Sequence, residues 1–293
     1  MVRDCRNWQS LAQTKRQRTT MSAFDSGTDQ LLTTLENRVF TVTLNRPDAR
    51  NALSDDLTRG LRRALAWAEV AETVGAIVLT GAGGAFCAGG DVKNMNRRNT
   101  GEAPAATPHE QFLDMRARHI ETAGALRASR KPTIAALPGA AAGAGLALAL
   151  SCDMRVAAER AFVSTGYARI GLSGDYGVAW LLTRVIGPAR ARELLLTSDR
   201  VASSRALNLG LFNEVVADEK LAETTQVLAR RLANGPLVAY GYIKDNLNEA
   251  LDIDHVTAIE READRLVKAR GTSDHKEAVA AFVEKRDPDF RGH

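Results

Sequence analysis

The sequence predicts an α/β fold followed by an all-helical C-terminal region, and three observations carry that prediction. Short apolar or alternating runs bounded by turn residues interleave with longer segments of helical period from Leu31 to Thr80, in the order strand, strand, helix, strand. Two Gly/Ala-rich stretches, 81–91 and 137–153, each follow a short buried strand and lead into a helix. From Lys220 onward only helical periodicity remains, interrupted at Gly235-Pro236 and Gly271.

The elements follow in order. Leu31 to Leu35, a turn at Glu36-Asn37, and the alternating run Val39 to Leu44 form a hairpin signature. Residues 46–53 are a loop. Ser54 stands where an N-cap belongs, ahead of an amphipathic helix to about Val70 with Leu57, Leu61, Leu65 and Ala68 on one face. Gly75 to Thr80 is a buried strand, and a helical segment from Pro108 to Arg130 separates it from the next, Thr133 to Leu137. After a turn at Pro138-Gly139, the Ala-rich apolar segment within Leu137 to Asp153 reads as a buried helix. A further helix is expected to follow Gly177 to about Ile186, then a short helix ending near Gly210 and a last strand from Leu211 to Val216. The apolar faces carrying Leu247, Leu251, Ile259 and Leu266 exceed what a lone tail buries, which suits contacts between subunits.

At 293 residues the chain is long enough to bury roughly three quarters of its unfolded surface. The first twenty residues hold Arg3, Arg6, Lys15, Arg16 and Arg18 against Asp4, a surplus equal to the whole formal net charge of +4. The remainder is neutral overall, which removes the electrostatic case for nucleic acid. Residues 1–24 are expected to be disordered, and the segment before Met21 reads as an upstream extension ahead of the true start; a transit peptide fits the same composition. The apolar stretch at 133–152 is broken by Pro138 and glycines, so no membrane span is expected. Cys5, Cys87 and Cys152 are odd in number and lack CxxC pairing, which points to neither disulfides nor zinc and suits a cytoplasmic location.

The two Gly/Ala stretches are the candidate chemistry. Each sits where a strand ends and a helix begins, where backbone N–H groups point outward and can hold an oxygen that gains negative charge. Small residues at these points also permit close helix packing. Their repetition favours one donor from each, which makes an oxyanion hole. Other glycine motifs fail: Leu148 stands where a dinucleotide fingerprint needs its third Gly, no G-K-[ST] occurs, and Gly171-Leu-Ser173-Gly-Asp175 puts its second Gly one place early for a nucleophile elbow.

Asn45-Arg46-Pro47 with Asn51-Ala52-Leu53, Ala76 to Gly81, Ala85-Phe86-Cys87-Ala88-Gly89-Gly90-Asp91, Ala136 to Asp153 and Ala278 to Arg286 together resemble the enoyl-CoA hydratase/isomerase, or crotonase, superfamily. The resemblance covers nearly everything after about Gln30. It implies a crotonase (ClpP-like) spiral of repeated ββα units over residues 25–218 and a helical oligomerisation region over 219–293 that builds a homotrimer or a hexamer of two trimers. It also implies a coenzyme A thioester as substrate, with no metal and no separate cofactor. Carried over by position, the two oxyanion-hole amides fall on Ala88 and Ala144. Ala144 replaces a residue usually glycine in the family, and its methyl narrows the room for a thioester. Ala49, Arg50 and Ala52 resemble the loop that meets the CoA adenine; Gly89, Gly90 and Asp91 continue the first turn, where Asp91 suits a helix cap. Phe282 and Lys285 match positions that approach CoA from a neighbouring subunit.

The resemblance also exposes a departure. Family hydratases use two glutamates, whose positions here hold Ala147 and either Gly166 or Tyr167. Neither site titrates near neutrality, whereas adding water across a double bond calls for groups that activate water and deliver a proton. Asp175 is the remaining carboxylate. It stands near the start of a helix, where it either caps that helix or, as in superfamily isomerases and 4-chlorobenzoyl-CoA dehalogenases with an Asp at this place, does the chemistry. The resulting reading makes Asp175 the general base and acid of an isomerase. A hydratase and a non-catalytic acyl-CoA-binding or scaffold protein are the alternatives. Tyr167 either lines the acyl pocket or packs, and His119 is a second proton carrier or a structural histidine.

Overall fold

The fold is described by a computed structural model covering residues 24–102 and 106–293. Leu31–Glu36 (β1) and Val39–Leu44 (β2) pair antiparallel, with Leu31 opposite Leu44. Asn37 and Arg38 both have positive φ, as a tight right-twisted hairpin turn requires. Ala76–Gly81 (β3), Thr133–Leu137 (β4), Met154–Ala158 (β6) and Glu214–Val216 (β9) add in parallel, giving the order β1-β2-β3-β4-β6-β9. A second sheet joins Ala141–Ala142 (β5), Phe162–Ser164 (β7) and Val201–Ala202 (β8).

The alternation within β3 explains the layers. Ile77 and Leu79 face one core together with Leu57, Leu61 and Leu65 of Asp55–Val70 (α1). Ala76 and Val78 face a second, smaller core containing Leu221, Ala229 and Ala233 of Leu221–Ala233 (α8). A strand buried on both faces reads as a continuous apolar run, as this one does. The layer covering the sheet therefore includes a helix that the sequence places after its boundary at 218. Ser54 caps α1 as expected, accepting from Leu57 N at 3.1 Å.

Val92–Asn99 (α2) follows the first Gly-rich turn. Pro108–His119 (α3) opens on a capping box between Thr107 and Glu110, then gives way to a π turn, Ile120–Gly124, and a last helical turn, Ala125–Ala128 (α4). The second Gly-rich turn opens Ala144–Ser151 (α5), buried throughout. Val178–Thr197 (α6) breaks its helical dihedrals at Gly187, ahead of Pro188, where the sequence reading ends it. Ser203–Asn208 (α7) precedes β9.

Leu237–Glu249 (α9), His255–Arg270 (α10) and Ser273–Glu284 (α11) complete the chain. The first of these is tied to the sheet by Lys244, whose buried ammonium meets Asp153 at 2.6 Å and Lys131 O at 2.9 Å. Leu247, Leu251, Ile259 and Leu266 are all more than half exposed in the single chain. The expected extension falls outside the described residues except at Phe24. That ring stacks on Trp67 at 5.3 Å and is therefore part of the packed body rather than a disordered tail. Among the described residues no helix is long and apolar enough to cross a membrane.

Candidate active site

Backbone hydrogen bonds bring the two Gly-rich turns together. Phe86 N and Cys87 N both donate to Ala140 O at 3.0 Å, and Ala142 N donates to Cys87 O at 2.9 Å. Two glycines make that approach possible. A Cβ on Gly145 would lie 2.2 Å from Cys87 O, and Gly143 holds φ 50 and ψ −123, which a side chain disfavours. A Cβ on Gly89 would come within 3.5 Å of Ala144 N, so the two turns face each other across this point.

This geometry corrects one assignment. Ala88 N is consumed by Arg50 O at 2.9 Å, so it is not an outward donor. Among the described residues, neither the Gly90 N–H nor the Ala144 N–H has an acceptor. The free pair is Gly90 and Ala144. Sequence position alone placed the donor two residues early, because which amide of a turn points outward depends on dihedrals and on a distant carbonyl.

The loop that supplies that carbonyl is itself pinned from inside. Asn51, fully buried at φ 58, accepts from Arg46 N at 2.8 Å and donates to Ala82 O at 2.9 Å and Ala85 O at 2.8 Å. Arg50 beside it also has positive φ. Arg46 donates to Ala52 O at 2.6 Å and pairs with Asp91 at 3.0 Å. Asp91 in turn accepts from Lys93 N and Asn94 N and so fixes the start of α2, as its position suggests. Ala49 lies on the outer side of this loop, partly exposed, while Ala52 is buried. Asn51→Ala strands one donor and two acceptors, each worth about 1–3 kcal/mol when buried unpaired. It also puts alanine in a left-handed conformation that asparagine tolerates better. A loss of at least about 2 kcal/mol in denaturant unfolding is expected; an unchanged midpoint would show that the loop is held some other way.

Asp175 lies on a turn with three positive-φ residues, Gly174, Tyr176 and Gly177. The helix-capping alternative does not hold. Gly177 is the N-cap of α6 without a side-chain bond, and Asp175 contributes only its carbonyl, to Val178 N at 3.0 Å. The carboxylate accepts a short hydrogen bond from the Tyr167 hydroxyl. Tyr167 is buried, and a Cβ on Gly143 would meet its hydroxyl at 3.8 Å, which sets the phenol and Asp175 beside the Ala144 turn. Burial pushes the Asp175 carboxyl above its ordinary range, opposed by the Tyr167 hydrogen bond and the nearby His119.

Tyr167→Phe removes the first of those opposing contacts. The Asp175 titration is therefore expected to move to higher pH, read by carboxyl carbon NMR; no movement would mean the phenol does not stabilise the carboxylate. Ala147 is fully buried on α5, with no titratable group in its place. Cys87 is also buried, and desolvation pushes its thiol up to about 12, so it is a packed thiol rather than a nucleophile. Phe282, 86% exposed, and Lys285 lie at the far end of α11, which packs on α10 rather than on the turns. Among the described residues no cluster of three or more His, Cys, Asp and Glu is arranged to hold a metal ion.

The mixed sheets, the two zipped turns and the C-terminal helices define a protein of crotonase fold. An enoyl-CoA hydratase structure from Polaromonas sp. JS666 superposes with a TM-score of 0.82 at 34% identity, over 89% of this chain and 99% of that one. The family described as Enoyl-CoA hydratase/isomerase matches residues 34–293. Similar proteins include a 1,2-epoxyphenylacetyl-CoA isomerase of Escherichia coli K12, 39% identical over 89% of this chain and 98% of the relative. A short-chain-enoyl-CoA hydratase of Clostridium acetobutylicum is 32% identical over 86% and 93%. The chain belongs to the enoyl-CoA hydratase/isomerase family and is an enzyme of that family.

Proposed function

We propose that this enzyme shifts a double bond in an acyl-CoA thioester by proton transfer, with Asp175 as base and acid and the Gly90 and Ala144 amides as the oxyanion hole. The observation that carries this reading is the partly buried Asp175 carboxyl beside the Ala144 turn, in a chain whose hydratase glutamate positions hold Ala147 and Gly166 or Tyr167. When a proton leaves the carbon chain, the electron pair moves into the thioester carbonyl. The resulting enolate oxygen is stabilised by two preorganised N–H donors, each worth about 3–4 kcal/mol when removed. Asp175, its pKa raised by burial, takes the proton from one carbon and returns it to another. The name of the E. coli relative, an isomerase of an acyl-CoA, supports this direction.

The hydratase reading draws on relatives with that name. It is disfavoured because no second carboxylate stands at either glutamate position. In the proposed complex the CoA moiety lies along Ala49, Arg50 and Ala52 and past Gly89 to Asp91. Phe282 and Lys285 reach it from a neighbouring subunit of a homotrimer or of a hexamer. The exposed Leu247, Leu251 and Ile259 support that assembly.

The test is product analysis by mass spectrometry and NMR after incubation in D2O with a 2-enoyl-CoA and, separately, a 3-enoyl-CoA. A moved double bond without gain of water is expected. Accumulation of a 3-hydroxyacyl-CoA would make the enzyme a hydratase, and CoA-ester binding without any exchange would make the site non-catalytic.

A further inference from the structure

His119 is the last residue of α3, and the helix changes there from α to π geometry. Single π turns within helices frequently mark functional positions, because the extra residue re-aims side chains that regular helix would turn away. Here the imidazole packs against the Tyr176 ring, with centroids 4.0 Å apart and planes tilted by 38°. Tyr176 adjoins Asp175 in sequence and holds φ 50, a conformation that costs an L-residue about 1–2 kcal/mol. His119 also lines an open groove of about 530 Å³ with Gln111, Phe112, Met115 and Ile120. It is half-buried.

The charges around the pair fit a proton exchange. Burial lowers the imidazole below its ordinary pKa, and Arg118 adds to this, while Asp175 and Asp114 oppose it. Burial shifts Asp175 up, opposed by the Tyr167 hydrogen bond and by His119. The remaining titratable neighbours, Tyr167, Tyr176 and Cys87, are all raised by burial and stay neutral near pH 7. A positioned side chain transfers protons efficiently when its pKa lies near the operating pH.

We infer that His119 is a proton relay between Asp175 and solvent, seated at the π turn that follows α3, against the Tyr176 ring and in the lining of the open groove. The inference rests on Asp175 as the proton-transfer group. When the substrate C–H bond breaks, its electrons remain in the enolate and the proton goes to the Asp175 carboxylate. The carboxylic acid passes that proton through bridging water to neutral His119, leaving carboxylate and imidazolium. The imidazolium releases a proton to water in the groove, and a solvent proton returns by the same route to reprotonate the other carbon. Without the relay, Asp175 returns the proton it abstracted.

The experiment measures deuterium at the newly protonated carbon when the enzyme converts a 3-enoyl-CoA in D2O at low conversion. His119→Gln keeps the side chain's bulk without a titratable nitrogen, and His119→Asn serves as a second variant should the first fold poorly. In the variants turnover is expected to stay within about tenfold of the wild type, while the deuterium fraction per product falls at least about threefold, because internal return replaces exchange. A merely structural histidine would lower the rate without changing that fraction. Equal deuterium fractions in variant and wild type would overturn the relay, as would a wild-type enzyme that moves the double bond with no solvent deuterium. Failure of the wild type to move the double bond at all would instead overturn the isomerase reading, and the relay with it.

Discussion

Asp175→Asn is expected to lower double-bond migration by about 10²–10⁴-fold, the usual contribution of a positioned acid–base group, while leaving CoA-ester affinity unchanged. The amide keeps an oxygen to accept from Tyr167, so the turn should hold its shape. Steady-state rates with a 3-enoyl-CoA and calorimetric binding of a saturated acyl-CoA separate the two effects. A rate within tenfold of the wild type would remove Asp175 from the chemistry. Because burial raises the folded-state pKa of Asp175 above its unfolded value, the folded state binds the extra proton. The stabilisation this carboxyl contributes is present below the unfolded pKa and is lost as pH rises through the folded one. A neutral amide does not suffer that loss. Asp175→Asn is therefore expected to gain in denaturant midpoint relative to the wild type at neutral pH, with the gain disappearing in acid. A constant difference across pH would show that the carboxyl's pKa is not perturbed by the fold.

Gly145→Ala carries the second large effect. The added methyl would stand 2.2 Å from Cys87 O, 2.7 Å from Cys87 Cβ and 2.8 Å from Cys87 C, and two of these three are backbone atoms that no rotamer change can move. The turns must separate at the bond between Ala142 N and Cys87 O. The cost is expected first in geometry: the Ala144 amide moves relative to Gly90, and an oxyanion then meets one well-placed donor instead of two. Loss of one such donor corresponds to about 10²–10³ in kcat. Overpacking of this kind also destabilises, typically by about 1–3 kcal/mol, so thermal unfolding must be followed alongside the rate. A folded Gly145→Ala enzyme with wild-type kcat would show that the juxtaposed amides are not used in the transition state.

The elements legible in the sequence were those whose signal is local. Ser54 ahead of Leu57, Leu61 and Leu65 specifies both the cap and the buried face of α1, because each depends only on residues within two turns. The hairpin at Asn37, the apolar runs of β3 and β4 and the Ala-rich α5 are of the same kind. Met154–Ala158 was not legible as a central strand. Its Arg155 reads as a surface residue, yet is buried because Leu211 O and Cys152 O satisfy its guanidinium, one of them 56 residues away. The strands of the second sheet are only two or three residues long, too short for any alternation to register.

For the site, the sequence by itself determined the family, the two Gly-rich turns, the absence of glutamate at both hydratase positions, and Asp175 as the carboxylate to examine. Only the tertiary structure decided that Gly90 rather than Ala88 offers the free amide, that Tyr167 donates to Asp175, and that Asn51 holds the loop whose carbonyl occupies Ala88. It also brought His119 to the Tyr176 ring, across 57 positions of chain. The division has one physical reason. Residue identity and short-range spacing fix which groups exist and which face of an element is apolar. The direction of a backbone N–H and the pKa of a carboxyl depend instead on positive-φ turns and on partners brought together by the packing of distant segments, and one sequence does not express those until it folds.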